Sequence, residues 1–277
     1  MFEIFQYDFM INAILACLLA SIAFGIIGTY VLVKRIVFIS GGIAHSTYGG
    51  IGLGYLVGFS PLYGAIGFGI LSALFISLLR KFKFQSEDLL IGIMWSFGMA
   101  LGILFISFSP GYAPNLMSYL FGNILTISFE EIITISILDV IIFLIVIIFY
   151  EQFLAITFDE EFAETLGLPV GKLYTLLLVL IALTIVILIK LVGIILVIAM
   201  LTIPPSISIR FSNKLSQMMF ISVILGIIFT LIGVLISYYL NLVSGATIIV
   251  VSIIFYLISL LFNRGKSKLK TNIKDNQ

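Results

Sequence analysis

Residues 173–209 read LYTLLLVLIALTIVILIKLVGIILVIAMLTIPPSISI, and their single charge is Lys190. A run this apolar has no surface to offer water. It is also too long for one crossing of a hydrocarbon core, which takes about 20 helical residues. It therefore divides at Lys190 into two spans, Leu173–Ile189 and Val192–Ile209. The same pattern extends in both directions. The apolar stretches predict seven more spans, at Asp8–Val33, Ile36–Gly58, Pro61–Leu79, Leu89–Ser109, Glu130–Tyr150, Met218–Leu240 and Gly245–Phe262. No period-two alternation of the kind a membrane barrel needs is present. The reading is an all-α, polytopic membrane protein of about nine helices, with one membrane domain over 1–262 and a basic tail over 263–277.

Composition agrees. Of the 277 residues, 62% are hydrophobic and 10% charged, and mean hydropathy is +1.30. That leaves too little polar surface for a separate soluble domain. A net charge of +1 argues against a nucleic-acid partner. Cys17 is the only cysteine, which excludes an intrachain disulfide and a thiolate metal cluster. The N-terminus lacks a basic n-region and a small-residue cleavage site, so the first apolar run reads as a retained span.

Basic residues orient the chain. With nine spans and the N-terminus outside, 13 of the 14 Lys and Arg residues fall on the cytoplasmic side and only Lys190 falls outside. The positive-inside rule expects such a partition. One span more or fewer before the tail scatters the charges over both faces.

The loop after the fifth span, TFDEEFAETLGLP at 157–169, carries helix signals of its own. Thr157 and Glu160 have capping-box spacing, and Gly167 with Pro169 marks a stop. Phe158, Phe162 and Leu166 recur at i, i+4, i+8, with Glu160, Glu161 and Glu164 elsewhere. So short a helix is not stable alone in water and needs a partner surface. Its acidic back suits a protein groove better than an anionic leaflet.

Six blocks in order then carry a family resemblance. They are YDFMINAILACLLASIAFGIIGTYVLVKR (7–35), EDLLIGIMWSFGMALGILF (87–105), NLMSYLFGNILTIS (115–128), FDEEFAETLGLPVGKLY (158–174), KLVGIILVIAMLTIPPSIS (190–208) and YYLNLVSGATIIV (238–250). Together they resemble the manganese, zinc and iron permease family of ABC transporters over nearly the whole chain. The resemblance implies a subunit of an importer in a prokaryotic cell membrane. Such a subunit pairs with a second copy of itself, two cytoplasmic ATP-binding subunits and an extracytoplasmic metal-binding protein. It also implies that Phe158, Glu161, Phe162, Ala163, Leu166 and Gly167 form the coupling contact with the ATPase. No phosphate-cradling GxxxxGK[ST] occurs in the chain, so ATP hydrolysis is expected on a separate subunit and the chain itself is not an enzyme. No permanently bound cofactor is expected; the divalent metal is cargo.

Polar groups within apolar spans are the candidates for the ion path. His45, the only histidine, lies in ISGGIAHSTYGGIGLG of the second span. Neutral imidazole suits manganese, iron or zinc; the alternative is a buried hydrogen-bonding group between helices. The resemblance favours a ligand. Many family members have an aspartate where this chain has Gly41, and another where it has Asn241. The expected transit site is therefore His45 with Asn241 beside it as a neutral oxygen, and Asp139, the one carboxylate deep in a span, as a further candidate. Asp139 reads somewhat better as a group hydrogen-bonded or paired within the bundle. Gly42, Ser46, Gly50, Gly54 and Gly58 form a four-residue period that reads as a packing seam. Pro204 and Pro205 predict a bend in the seventh span. Glu130 and Glu131 sit at the outer rim of the fifth.

Two other functions compete. A stand-alone secondary transporter or channel calls for more coupling charges or broken-helix repeats and no capped acidic cytoplasmic helix. An intramembrane metalloenzyme needs clustered ligands that one histidine does not supply. The charge partition yields a direct test of topology. In a Cys17→Ser background, an impermeant thiol reagent applied outside should label Glu3→Cys and spare Lys270→Cys; equal labelling of both would overturn the nine-span reading.

Overall fold

The computed structural model describes residues 7–82, 87–109 and 116–262, and within them every regular element is a helix. The tail 263–277, with its five basic residues, lies outside the described residues, as does Lys83. In chain order the helices are α1 (Asp8–Val33), α2 (Val37–Val57), α3 (Pro61–Phe82), α4 (Glu87–Ser107), α5 (Leu116–Phe121), α6 (Phe129–Ile148), α7 (Tyr150–Phe158), α8 (Glu160–Thr165), α9 (Val170–Val192), α10 (Val197–Ser208), α11 (Leu215–Leu240) and α12 (Ser244–Phe262).

Seven of these, α1, α3, α4, α6, α9, α11 and α12, are long and apolar enough to cross a membrane. They coincide with seven of the expected spans. The other two expected spans correspond to α2, which is glycine-rich, and to the shorter apolar segment Ile194–Ser208. The break between the sixth and seventh spans falls at Gly193, not Lys190. There φ is +79°, and one 3-10 turn, Ile194–Leu196, leads into α10. Lys190 stays inside α9.

Helix directions sort the charges. Hydrogen bonds of Ser21 with Thr230 and of Thr29 with Ser222 show α1 and α11 running antiparallel. The start of α1 and the end of α11 therefore share one end of the bundle. The other end gathers Lys34, Arg80, Lys172, Arg210 and Lys214, as well as α8. It is called the basic end below. Lys190 lies at the opposite end.

The centre of the bundle is α2. Every residue from Ile39 to Gly52 is buried. It packs against α4, α3 and α9. The hydrophobic effect does not draw helices together in lipid, so close backbone approach must supply the attraction, and small residues permit it. A Cβ on Gly50 would fall on the carbonyl of Gly64 in α3, and one on Gly98 in α4 would fall on Ser46. Gly52 meets Gly102 of α4 in the same way, with 2.5 Å from an added Cβ to the Gly102 oxygen.

The expected seam is thus real, but it is shared. A four-residue repeat overshoots the 3.6-residue turn, so the small positions walk around the helix. Gly42 and Ser46 face α4, and Gly50 and Gly54 face α3. Gly58 is no part of the seam. It ends α2 in the left-handed region at φ +86°, with no atom near where its Cβ would be.

α10 remains helical through Pro204 and Pro205. Proline at 205 leaves the carbonyl of Leu201 without its intrahelical donor. That carbonyl lies against Gly28 of α1, where an added Cβ would be 2.5 Å from the oxygen.

Gly50 and Gly58 separate packing from backbone strain. Gly50→Val should cost about 3 kcal/mol or more through overpacking between α2 and α3. Gly58→Ala should cost about 1–2 kcal/mol through φ alone. Thermal unfolding of the purified subunit should rank them in that order, and equal losses would contradict backbone contact as the determinant.

Candidate functional site

Two regions hold the functional candidates: the basic end around α8, and the interior around His45.

At the basic end, α8 is built in the manner the sequence suggests but with a different start. Thr157 is not its cap, because α7 continues to Phe158 and keeps Thr157 buried in the preceding helix. Asp159 is the cap instead; its Oδ1 accepts from the Phe162 N–H at 2.9 Å. The helix ends as expected at Gly167, with φ +75°. Gly167 N–H donates to the Glu164 carbonyl and Leu168 N–H to the Ala163 carbonyl, the paired bonds of a Schellman stop.

Ala163 is fully buried, whereas Phe158, Phe162 and Leu166 are 67%, 56% and 59% exposed. They border a groove of about 500 Å³ that also includes Leu154, Ala155 and Leu168. The apolar stripe is thus on the surface at the basic end of the bundle.

The acidic back is not uniformly solvated. Glu160 turns inward and accepts from Lys34 Nζ at 2.5 Å and from Arg80 Nη2 at 2.9 Å. Lys34 lies at the end of α1 and also donates to the Ile156 carbonyl of α7. Arg80 lies near the end of α3. Both cations approach the ring of Tyr174 in α9, Arg80 at 4.0 Å and Lys34 at 5.6 Å from its centroid. One carboxylate therefore ties α8 to α1 and α3, with α9 supplying an aromatic face. Burial opposes the charged form of Glu160, but the hydrogen bonds and charges of Lys34 and Arg80 outweigh it and hold the carboxyl below the usual glutamate range. The sequence reading treated Lys34 and Arg80 only as topology markers. The missed signal was a carboxylate in a loop flanked by basic helix ends.

At the opposite end, Lys190 pairs with Glu131 at 2.5 Å and lies 4.7 Å from the Tyr119 ring centroid. Glu131 also closes a capping box with Ser128 at the start of α6. Glu131 is thus a structural rim acid. Glu130 is exposed.

In the interior, His45 is 7% exposed and its Nδ1 has no hydrogen-bond partner. Its ring stacks on Trp95 of α4, with centroids 3.8 Å apart and planes 14° apart. The sequence reading passed over Trp95, the sole tryptophan. A Cβ on Gly41 would stand 2.8 Å from Ile198 Cδ1 and 3.3 Å from Trp95 Cζ3, so a larger residue there would need both side chains to shift.

The three expected cargo contacts do not converge. His45 is eight residues into α2, about 12 Å from its basic-end start at 1.5 Å per residue. Asn241 caps α11 at the other end, in the left-handed region at φ +52°. It lines a groove of about 630 Å³ with Phe9, Asn123, Ser237 and Ser244. The expectation that Asn241 lies beside His45 is therefore corrected: the length of α11 carries it to the far end. Asp139 is in α6, which packs on α1 and α9, and both its oxygens are buried without a partner. Among the described residues no three His, Cys, Asp or Glu side chains gather as a metal site.

The described residues form a helical membrane bundle that carries, at its basic end, a short capped helix with an exposed apolar stripe. The chain belongs to the ABC 3 transport family, whose model matches residues 6–263. It is 42% identical over 245 residues to a "Probable metal transport system membrane protein" of Chlamydia pneumoniae, covering 86% of this chain and 84% of that one. It is 34% identical over 257 residues to a manganese transport system membrane protein of Listeria innocua, covering 93% and 91%. Among solved structures, PsaBC from Streptococcus pneumoniae in complex with a Fab superposes with a TM-score of 0.88 at 30% identity, over 98% of this chain and 97% of that one.

The Glu160 clamp predicts a pH dependence of defined sign. A depressed carboxyl contributes stability that is present above its unfolded pKa and lost as pH falls through the folded value. Hydrogen exchange over 159–168 should stay slow from neutral pH down to the ordinary glutamate range and accelerate only below it. Glu160→Gln should raise exchange several-fold at neutral pH. An unchanged rate would remove the clamp from the account of α8.

Proposed function

We propose that this chain is the membrane permease of an ATP-driven importer for a divalent metal ion, working by alternating access. Its relatives are metal and manganese transport system membrane proteins. The observation that carries the coupling role is the exposed stripe Phe158–Phe162–Leu166 on a helix locked to the bundle by Glu160. A separate cytoplasmic ATP-binding subunit, present in two copies, supplies the groove that covers the stripe. Glu161 and Gly167 lie at the rim of that contact, and buried Ala163 sets how close α8 sits to the bundle. Movement of the ATPase pulls on α8, and the clamp passes the pull to the ends of α1 and α3.

A second copy of this chain completes the pathway, and an extracytoplasmic metal-binding protein delivers the ion. The basic end faces the cytoplasm, in keeping with the positive-inside rule. The groove at Asn241 then opens outside and offers neutral oxygens to an arriving ion. His45 meets the ion deeper in. A single neutral imidazole binds a dication weakly, which suits passage. Asp139 is on α6, which packs chiefly on α1 and α9, and is assigned to that packing.

The test is Phe162→Asp, which places a charge in the apolar contact without touching the clamp. The variant should be made at normal yield, lose co-purification with its ATPase by tenfold or more, and lose metal uptake. Retention of the ATPase at wild-type stoichiometry would remove the docking role of α8.

A further inference from the structure

The geometry points to Trp95 as the positioning residue of the cargo contact, an indole wall that fixes the plane of the His45 ring, covers it, and packs closely beside Gly41. The inference rests on the reading of His45 as a cargo contact.

Gly41 and His45 are four residues apart on α2, so their side-chain positions lie one above the other on one helix face. Trp95 of α4 spans both. Its ring lies 3.8 Å from the His45 ring, nearly parallel, and its Cζ3 lies 3.3 Å from where a Cβ on residue 41 would be. A side chain at 41 would push the indole by a few tenths of an ångström and would need the Cδ1 of Ile198 in α10, 2.8 Å away, to shift.

Stacking covers one face of the His45 ring and leaves Nδ1, at the ring edge, without a hydrogen-bond partner. A metal ion bonds an imidazole nitrogen in the ring plane, so the orientation of that plane decides where an ion can bind. Nδ1 is buried and unpartnered, and no hydrogen bond to it sets the ring. In metal sites a ring is ordinarily oriented by a hydrogen bond to its other nitrogen. Here the indole takes that role through its face. With a neutral imidazole, an aromatic wall and no carboxylate, the contact suits ions that favour imidazole, such as zinc or iron, over ions that need hard oxygen ligands.

The experiment uses the assembled transporter and three variants, Trp95→Phe, Trp95→Leu and Trp95→Ala. His45 is the only histidine of the chain, so carbethoxylation by diethyl pyrocarbonate, followed on the peptide that contains it, reads its exposure directly. Wild type and Trp95→Phe should react slowly, and Trp95→Ala at least tenfold faster. Cellular uptake of zinc should survive in Trp95→Phe and fall at least tenfold in Trp95→Leu, which keeps bulk but no ring face. Equal labelling of wild type and Trp95→Ala, or equal uptake by the Phe and Leu variants, would overturn the inference. If Trp95→Ala fails to assemble, the comparison of Phe with Leu still decides it. His45→Ala is the separate control: full zinc and manganese uptake there would overturn the cargo role of His45, while the labelling result would still report whether Trp95 covers the ring.

Discussion

The contact on which the rest of this bundle depends is between backbones. α2 lies inside a sheath of α3, α4, α9 and α10, and it fits because glycines on it or on the facing helix leave no side chain at the crossing points. In water, an interior of this kind would forfeit most of the driving force that large side chains give. In lipid the alternative is contact with acyl chains of equal apolarity, so close packing decides. The cost is that α2 has little polar or bulky surface of its own. Its functional content is confined to His45 and a few hydroxyls.

The two ends of the bundle use charge differently. At one end a single glutamate gathers cations from two helices and an aromatic ring from a third, and so joins a surface helix to the interior. At the other, Lys190 and Glu131 tie α9 to α6 beneath the ring of Tyr119. Backbone turns with positive φ at Gly122 and Gly193 stand close by, and the Asn123 N–H donates to the Lys190 carbonyl. One end is therefore stiffened where force would enter. The other is pinned where the chain reverses.

Much of this was legible in the sequence because membrane helices announce themselves by length and composition. The helix positions, the stop at Gly167 and the outward stripe at Phe158, Phe162 and Leu166 all follow from local patterns. Thr157 misled because a separate short helix, α7, follows α6 and encloses that residue, which the capping-box spacing does not report. The clamp was hidden because Lys34, Arg80 and Glu160 are far apart in the chain and meet only through tertiary packing. The separation of Asn241 from His45 has the same origin: both are polar and both adjoin an apolar run, yet depth depends on helix direction and register. Trp95 carried a signal, as the only indole in the chain, but nothing local ties it to α2.

The fit of Trp95 beside Gly41 couples the two positions. A side chain at 41 meets Ile198 Cδ1 first and the indole second, so both must give way a little to admit it. A larger residue at 41 therefore shifts the wall that covers His45, and substitutions at 41 and 95 share one space, so their effects are expected to be non-additive.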